Sequence, residues 1–71
     1  MERRKLRARI VEKYGTSQAF AAELGITSAT VSNVVKGHTT PKTKLMPVWC
    51  KALDIKPEEI GIFFYPETWE N

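Results

Sequence analysis

Short polar side chains recur along one face of the segment 28–36. At about 100° per residue on a helical wheel, one arc collects Ser28, Ala29, Ser32, Asn33 and Lys36. The opposite arc holds Val31, Val34 and Val35, which a helix in water must bury. The amide of Asn33 can pair with both polar groups of an adenine edge, and the hydroxyls of Ser28 and Ser32 can contact bases less selectively. The pattern predicts a helix able to read base edges.

The charge pattern around this segment favours a polyanion as partner. No Asp or Glu occurs between Gly25 and Leu53, and a surface that faces phosphates must lack acids. Residues 1–51 carry ten basic and three acidic side chains, or +7, whereas residues 52–71 carry one basic and five acidic, or −4. We therefore expect a basic body that meets nucleic acid and an acidic end that faces elsewhere. An ordinary amphipathic helix of a helical bundle is the alternative.

Glycine and proline separate five segments of helical periodicity, so the 71-residue chain is predicted to be all-α. The predicted helices cover roughly 3–14, 17–24, 28–37, 44–53 and a short segment from 57. Pro47 must lie in the first turn of the fourth helix, or else that helix begins at Pro47. Thr16 or Ser17 is expected to cap the second helix, and Thr27 or Ser28 the third. The first helix is expected to bury Leu6, Ile10, Val11 and Tyr14.

The second and third helices are joined by a turn of about three residues, Gly25-Ile26-Thr27. Glycine permits the left-handed backbone that a sharp reversal needs, and Ile26 can fill the corner between the helices. Ala21, four residues earlier, lets the helices approach closely. These are the requirements of a helix-turn-helix.

The run from Thr16 to Gly37 resembles the helix-turn-helix of the phage Cro and CI repressor superfamily, the XRE type. Residues 49–60 resemble the later helices of the same domain, and the resemblance covers about residues 5–64. It implies a five-helix Cro/CI-repressor-like DNA-binding domain whose third helix docks in the major groove. The matching positions are Gln18, Phe20-Ala21, Gly25-Ile26-Thr27, Val31, Val34 and Gly37.

Site residues carry over from the resemblance by position. Those implied to face base edges are Thr27, Ser28, Ala29, Ser32 and Asn33. Those implied to contact phosphates are Ser17, Gln18, Lys36, His38, Thr40 and Lys42. For His38, a solvated loop position is an equal alternative. The basic residues of the first helix either contact or steer toward DNA or form a solvated face: Arg3, Arg4, Lys5, Arg7 and Arg9.

Two departures from the resemblance bear on mechanism. Many relatives carry Gln where this chain has Ser28 and Ala29, so DNA shape is expected to contribute more to recognition. Several relatives bury an Arg–Glu pair where this chain has Ile10 and Val35, so the contact between the first and third helices is expected to be apolar.

Without the second domain of CI-type repressors, the chain resembles the small Cro-like regulator of a temperate-phage lysogeny switch. The expected partner is double-stranded DNA, an operator in the phage switch region, bound by a possible homodimer. The alternative function is an anti-repressor or protein-binding module that forms a complex with the cognate CI-type repressor or an antitoxin-like partner.

Several functions are disfavoured by the sequence. A lone His38 and a lone Cys50 provide neither metal-ligand spacing nor a nucleophile with its base, so no enzyme, metal or cofactor is expected. Apolar runs are far shorter than the ~20 residues that span a bilayer, and no secretory signal is visible. We expect a cytoplasmic protein of the bacterial host cell.

The C-terminal end is predicted to carry an interaction surface. Residues 1–64 are expected to form the helix-turn-helix domain and residues 65–71 an acidic, aromatic tail. Trp49 is expected in the core. Large apolar residues crowd positions 62–69, and exposed aromatic patches mark interaction sites. The residues expected to contact a second copy or a protein partner are Phe64, Tyr65 and Trp69.

Overall fold

The computed structural model describes residues 2–66, which form five α-helices and one 3₁₀ turn and contain no β-strand. The all-α, five-helix expectation is confirmed. The helices are α1 (Arg4–Tyr14), α2 (Ser17–Leu24), α3 (Ser28–Val35), α4 (Met46–Leu53) and α5 (Ile60–Phe64), with the 3₁₀ turn at Pro57–Glu59 leading into α5.

Threonine hydroxyls start both helices of the predicted helix-turn-helix. Thr16 Oγ1 accepts from the backbone N–H of Ala19 at 3.1 Å, and Thr27 Oγ1 accepts from that of Thr30 at 3.2 Å. Each hydroxyl satisfies one of the N–H groups that a helix start leaves unpaired. The two caps fix the starts of α2 and α3 at the positions that the sequence predicted.

The turn between α2 and α3 depends on Gly25. Its φ of 72° lies in the left-handed region, which costs glycine no Cβ clash. The reversal is closed by the N–H of Ile26, which donates to the carbonyl of Ala21 at 3.0 Å. Since Ala21 is also buried, a small side chain lies where the two helices meet.

The fourth helix begins later than predicted, at Met46 rather than at residue 44. A start at 44 would place Pro47 at the fourth helical position, where its missing N–H would forfeit an intrahelical bond. Beginning at Met46 puts Pro47 in the first turn, where no bond is lost. A turn over 42–45 leads in, closed by the N–H of Leu45 on the carbonyl of Lys42 at 2.8 Å.

The core is organised around a chain of edge-to-face aromatic contacts. Trp49 lies 4.9 Å from Phe20 and 6.3 Å from Phe64 between ring centroids, and Tyr14 lies 5.0 Å from Phe20. These distances are the favourable range for aromatic pairs. The chain of rings links α1, α2, α4 and α5, and the core position predicted for Trp49 is confirmed.

One expected core residue is not in the core. Val11 is 54% exposed, whereas Leu6 and Ile10 are buried. At about 100° per residue, Val11 is roughly 140° around the helix from Leu6, so the two cannot share a face. Val11 instead lines a shallow groove on α1 beside Arg4 and Arg7.

Candidate nucleic-acid interface

Helix α3 separates its two arcs as the sequence predicts. Val31, Val34 and Val35 are buried. On the other arc Ser28, Ala29 and Asn33 are exposed, and Ser32 is half-buried. The three valines and one threonine of α3 favour helix weakly, so packing of the valines must hold α3 in place. The structure thus leaves four of the predicted base-contacting side chains accessible on one rigid element.

The side chain of Thr27 makes two hydrogen-bond contacts with Thr30 within the protein. Besides capping α3, its Oγ1 lies 2.9 Å from Thr30 Oγ1. Its hydroxyl is therefore engaged within the protein, although the residue is exposed. Its contact with a base stays a prediction, and loss of its hydroxyl would disturb the start of α3 as well.

The predicted phosphate contacts lie at the start of α2 and after α3. Gln18 is exposed and Ser17 half-buried at the first turn of α2, where free N–H groups and the helix dipole attract anions. The loop after α3 is held against the helix by the N–H of His38, which donates to the carbonyl of Asn33 at 2.9 Å. The predicted phosphate contacts at the end of α3 and in this loop are all exposed: Lys36, His38, Thr40 and Lys42.

We call the outward residues of α3 and its loop the acid-free surface: Ser28, Ala29, Ser32, Asn33, Lys36, His38 and Lys42. Within residues 2–66, none of the lysines of the 36–51 segment forms an ion pair with an acid. The carboxylates of residues 2–66 therefore do not neutralise the charges of these lysines. An anion approaching this surface meets donors and cations.

A second charged region has the opposite character. Acids and bases alternate along what we call the mixed-charge groove: Arg9, Glu12, Lys13, Asp54, Lys56 and Glu59. Arg9 Nε lies 3.4 Å from Glu12 Oε1, and Lys13 Nζ lies 3.9 Å from Asp54 Oδ2. Because Arg9 and Lys13 are already paired with carboxylates and the groove carries three acids, it is a poor site for a phosphate.

Two of the arginines expected to contact DNA or to form a solvated face make hydrogen bonds within the protein that the sequence did not predict. Arg3 is only 5% exposed, and its side chain hydrogen-bonds to the end of α3, the following loop and α5. Arg9 Nη1 donates to the carbonyls of Leu53 at 2.7 Å and Asp54 at 3.0 Å, and its guanidinium lies 5.0 Å from the ring centre of Phe63.

Both arginines pair with carbonyls at helix ends, where the last turn leaves oxygens free and the dipole favours a cation. The sequence held one signal for Arg3. It precedes Leu6 by three residues and Ile10 by seven, which places it on the buried face of α1.

Ile10 and Val35, the positions at which an apolar contact between α1 and α3 was expected, are both buried in the same hydrophobic core. It is joined by a polar one, because the N–H of Arg3 donates to the carbonyl of Val35 at 2.7 Å. The start of the chain is therefore fastened to the C-terminal end of α3.

The predicted protein-interaction surface is wrong at Phe64. This residue is 0% exposed because its ring packs against Trp49 as the last aromatic of the core chain. Tyr65 is 40% exposed and stays a candidate contact, while Trp69 lies outside the described residues. Leu45 and Val48 are two further exposed apolar residues, and neither was predicted from the sequence.

Cys50, the one cysteine of the chain, lies in the core. Burial raises the pKa of the Cys50 thiol, which lowers its reactivity. Among the described residues no group of three or more His, Cys, Asp or Glu side chains is arranged to hold a metal ion. No helix in residues 2–66 combines the length and apolarity needed to cross a bilayer.

Residues 2–66 thus form an all-α domain of five helices, and the outer residues of its third helix include no acid. Residues 1–67 match the model of a family described as "Protein of unknown function (DUF739)". The chain belongs to the DUF739 family, and that description assigns no activity. No curated protein and no solved structure matches the chain.

Proposed function

We propose that this protein is a sequence-specific DNA-binding regulator of transcription, a Cro-like repressor or modulator in the lysogeny switch of a temperate phage. The observation that carries the proposal is the accessible polar arc of α3, in a segment of the sequence, residues 26–53, that contains no Asp or Glu. In its support, the three valines of α3 are buried while the residues of the other arc are accessible. The proposed place of action is the cytoplasm of the bacterial host.

The side chains of α3 suit a major groove. Asn33 has a donor and an acceptor for the two polar atoms of an adenine edge, while Ser28 and Ser32 offer hydroxyls. Ala29 presents a methyl group that can meet the methyl of a thymine. Because these side chains are short, the axis of α3 can approach the groove floor closely, and DNA shape contributes to selection.

Phosphate contacts would set the orientation of α3 on the duplex. Gln18 and the free N–H groups of the first turn of α2 suit one phosphate. Lys36 and Lys42 follow α3 and suit others, and each such contact adds to the salt dependence of binding. These contacts position the protein, and the base contacts of Asn33 and its neighbours specify the sequence.

A homodimer on DNA is part of the proposal. Two copies of α3 on a pseudo-palindrome would lie about 34 Å apart, one turn of B-DNA. A duplex that holds two half-sites at this spacing is expected to bind two chains cooperatively. A duplex with the spacing changed by five base pairs is expected to bind them independently.

The function is tested by selecting duplexes from a randomised library and measuring affinity by fluorescence anisotropy at several salt concentrations. The expected result is a defined sequence bound at least about 1,000-fold more tightly than random DNA, with affinity that falls steeply as salt rises. Affinity independent of salt, or equal for selected and random duplexes, would reject the proposal.

The alternative, an anti-repressor that acts through the CI-type repressor or an antitoxin-like partner, is favoured by the exposure of Tyr65. It predicts weak DNA binding by this chain alone that tightens when the cognate repressor is added. The same anisotropy assay, run with and without that repressor, separates the two functions.

A further inference from the structure

Arg3 is a buried cation whose acceptors in residues 2–66 are all neutral. Its Nε donates to the carbonyl of Phe64 at 2.8 Å. Its Nη1 donates to the carbonyls of Val34 at 2.7 Å and Thr39 at 2.6 Å, and Nη2 donates to Thr40 Oγ1 at 2.9 Å. One side chain thus joins the end of α3, the loop behind it and the end of α5.

Burial of this charge is tolerated because of where it lies. The carbonyls of Val34 and Phe64 belong to the last turns of α3 and α5, where helix dipoles place partial negative charge. The guanidinium is a planar fork with five N–H donors, and the four bonds above use donors at all three nitrogens. A lysine ammonium at the same place is a point donor and cannot span these acceptors.

The contacts with residues 39 and 40 bear on DNA binding because they fix the loop that carries His38 and Lys42. Thr40 Oγ1 accepts a hydrogen bond from Arg3, so its own O–H proton remains available to donate. The residue is exposed. A hydroxyl that accepts from a cation is polarised into a stronger donor, and phosphate oxygen is a suitable acceptor.

We propose that Arg3 is a positioning residue for DNA binding, which holds the loop 38–42 against α3 and presents the Thr40 hydroxyl to a backbone phosphate. The inference rests on the proposed function and adds to it an indirect contribution of Arg3. Arg3 is too deeply buried to touch the duplex, so its effect on affinity passes through Thr40 and the loop.

The test uses the full chain and the selected duplex. Thr40→Val removes the hydroxyl and preserves the side-chain shape, and Thr40→Ser restores the hydroxyl. Thr43→Val makes the same change at an exposed threonine of the next turn. Arg3→Lys and the double variant Arg3→Lys/Thr40→Val complete the set, with circular dichroism to confirm folding at the assay temperature.

We expect Thr40→Val to lose about tenfold in affinity, with an unchanged salt slope because no ion is removed. Thr40→Ser and Thr43→Val stay within about twofold of the wild type. Arg3→Lys loses at least as much as Thr40→Val, and the double variant binds no more weakly than Arg3→Lys, since coupled residues are not additive.

Thr40→Val that binds as tightly as Thr43→Val would overturn the inference and leave the proposed function intact. So would losses from Arg3→Lys and Thr40→Val that multiply in the double variant. If Arg3→Lys does not fold, the comparison of the Thr40 and Thr43 variants still decides. A wild-type chain that binds no duplex overturns both proposals.

Discussion

The acid-free surface and the mixed-charge groove carry similar cations and use them differently. Lys36 and Lys42 are exposed on the acid-free surface without a carboxylate partner in the described part of the chain. Arg9 and Lys13 face Glu12 and Asp54 in the groove. A cation that is already paired gains little from a phosphate, whereas an unpaired one can replace a counterion on DNA.

This difference shows that the position of the acids matters more than the net charge. The formal net charge of +3 is modest, and a count over the first helix overstates its free charge because Arg3 and Arg9 are bonded to carbonyls within the protein. The surface best suited to a polyanion is the one that lacks acids.

The largest effect is expected from matched charge reversals. Lys36→Glu with Lys42→Glu, and Lys13→Glu with Lys56→Glu, both change the net charge from +3 to −1. The first pair should weaken DNA binding more than about 100-fold and lower the salt slope by about two, since two phosphate contacts are lost. Anisotropy titrations at several salt concentrations measure both quantities.

The second pair is the control and should cost less than about fivefold, through weaker long-range attraction alone. Both pairs lie at exposed positions, so thermal melting should confirm that each variant folds. Equal losses from the two pairs would show that net charge, and not the acid-free surface, governs binding.

A smaller effect is expected for the packing beneath the acid-free surface. Val31→Ala should lower the free energy of unfolding by about 2–3 kcal/mol, because a side chain with no exposure leaves a cavity. Val11→Ala, the same change on exposed α1 surface, should cost less than about 0.5 kcal/mol. Urea unfolding measures both, and similar costs would mean that Val31 does not anchor α3.

Base recognition and phosphate contact should separate on the acid-free surface. Asn33→Ala should lose about tenfold in affinity for the selected duplex and little for random DNA, because it removes a bidentate base contact. Lys42→Ala should weaken both duplexes alike and lower the salt slope by about one. Equal weakening of both duplexes by Asn33→Ala would contradict the role assigned to this amide.

The smallest effect is expected for Cys50, away from both charged surfaces. Burial raises the pKa of its thiol, so above the ordinary value of 9.0 the unfolded chain loses this proton before the folded chain does. The free energy of unfolding should therefore fall as pH rises beyond that value. Cys50→Ala should show a shallower fall in urea unfolding series, and an identical one would contradict the assignment.

Local signals predicted the elements of the candidate site. These signals are the threonine caps at the starts of α2 and α3, the glycine at the turn between them, and the valine arc on α3. Each acts within a few residues, so it can be recognised without knowledge of the tertiary structure. The bounds of α2 and the burial of Val31 and Val34 follow from such signals.

The misses concern side chains whose partners are distant in the chain. Arg3 reaches the carbonyl of Phe64 across 61 positions, and Arg9 reaches that of Leu53 across 44. In the sequence alone, Arg3 and Arg9 cannot be told apart from basic residues that are solvated or face DNA. The carbonyls that accept their hydrogen bonds lie at helix ends far along the chain. The burial of Phe64 was missed for a related reason, because its ring contacts that of Trp49 only in the folded core.

Binding of a duplex to α3 and the loop behind it is tested by an NMR titration of the ¹⁵N-labelled chain with the selected duplex. We expect the largest amide shift changes within residues 17–18 and 27–42, and small changes at the mixed-charge groove. Shift changes centred on that groove, with the amides of α3 unmoved at saturating duplex, would contradict it.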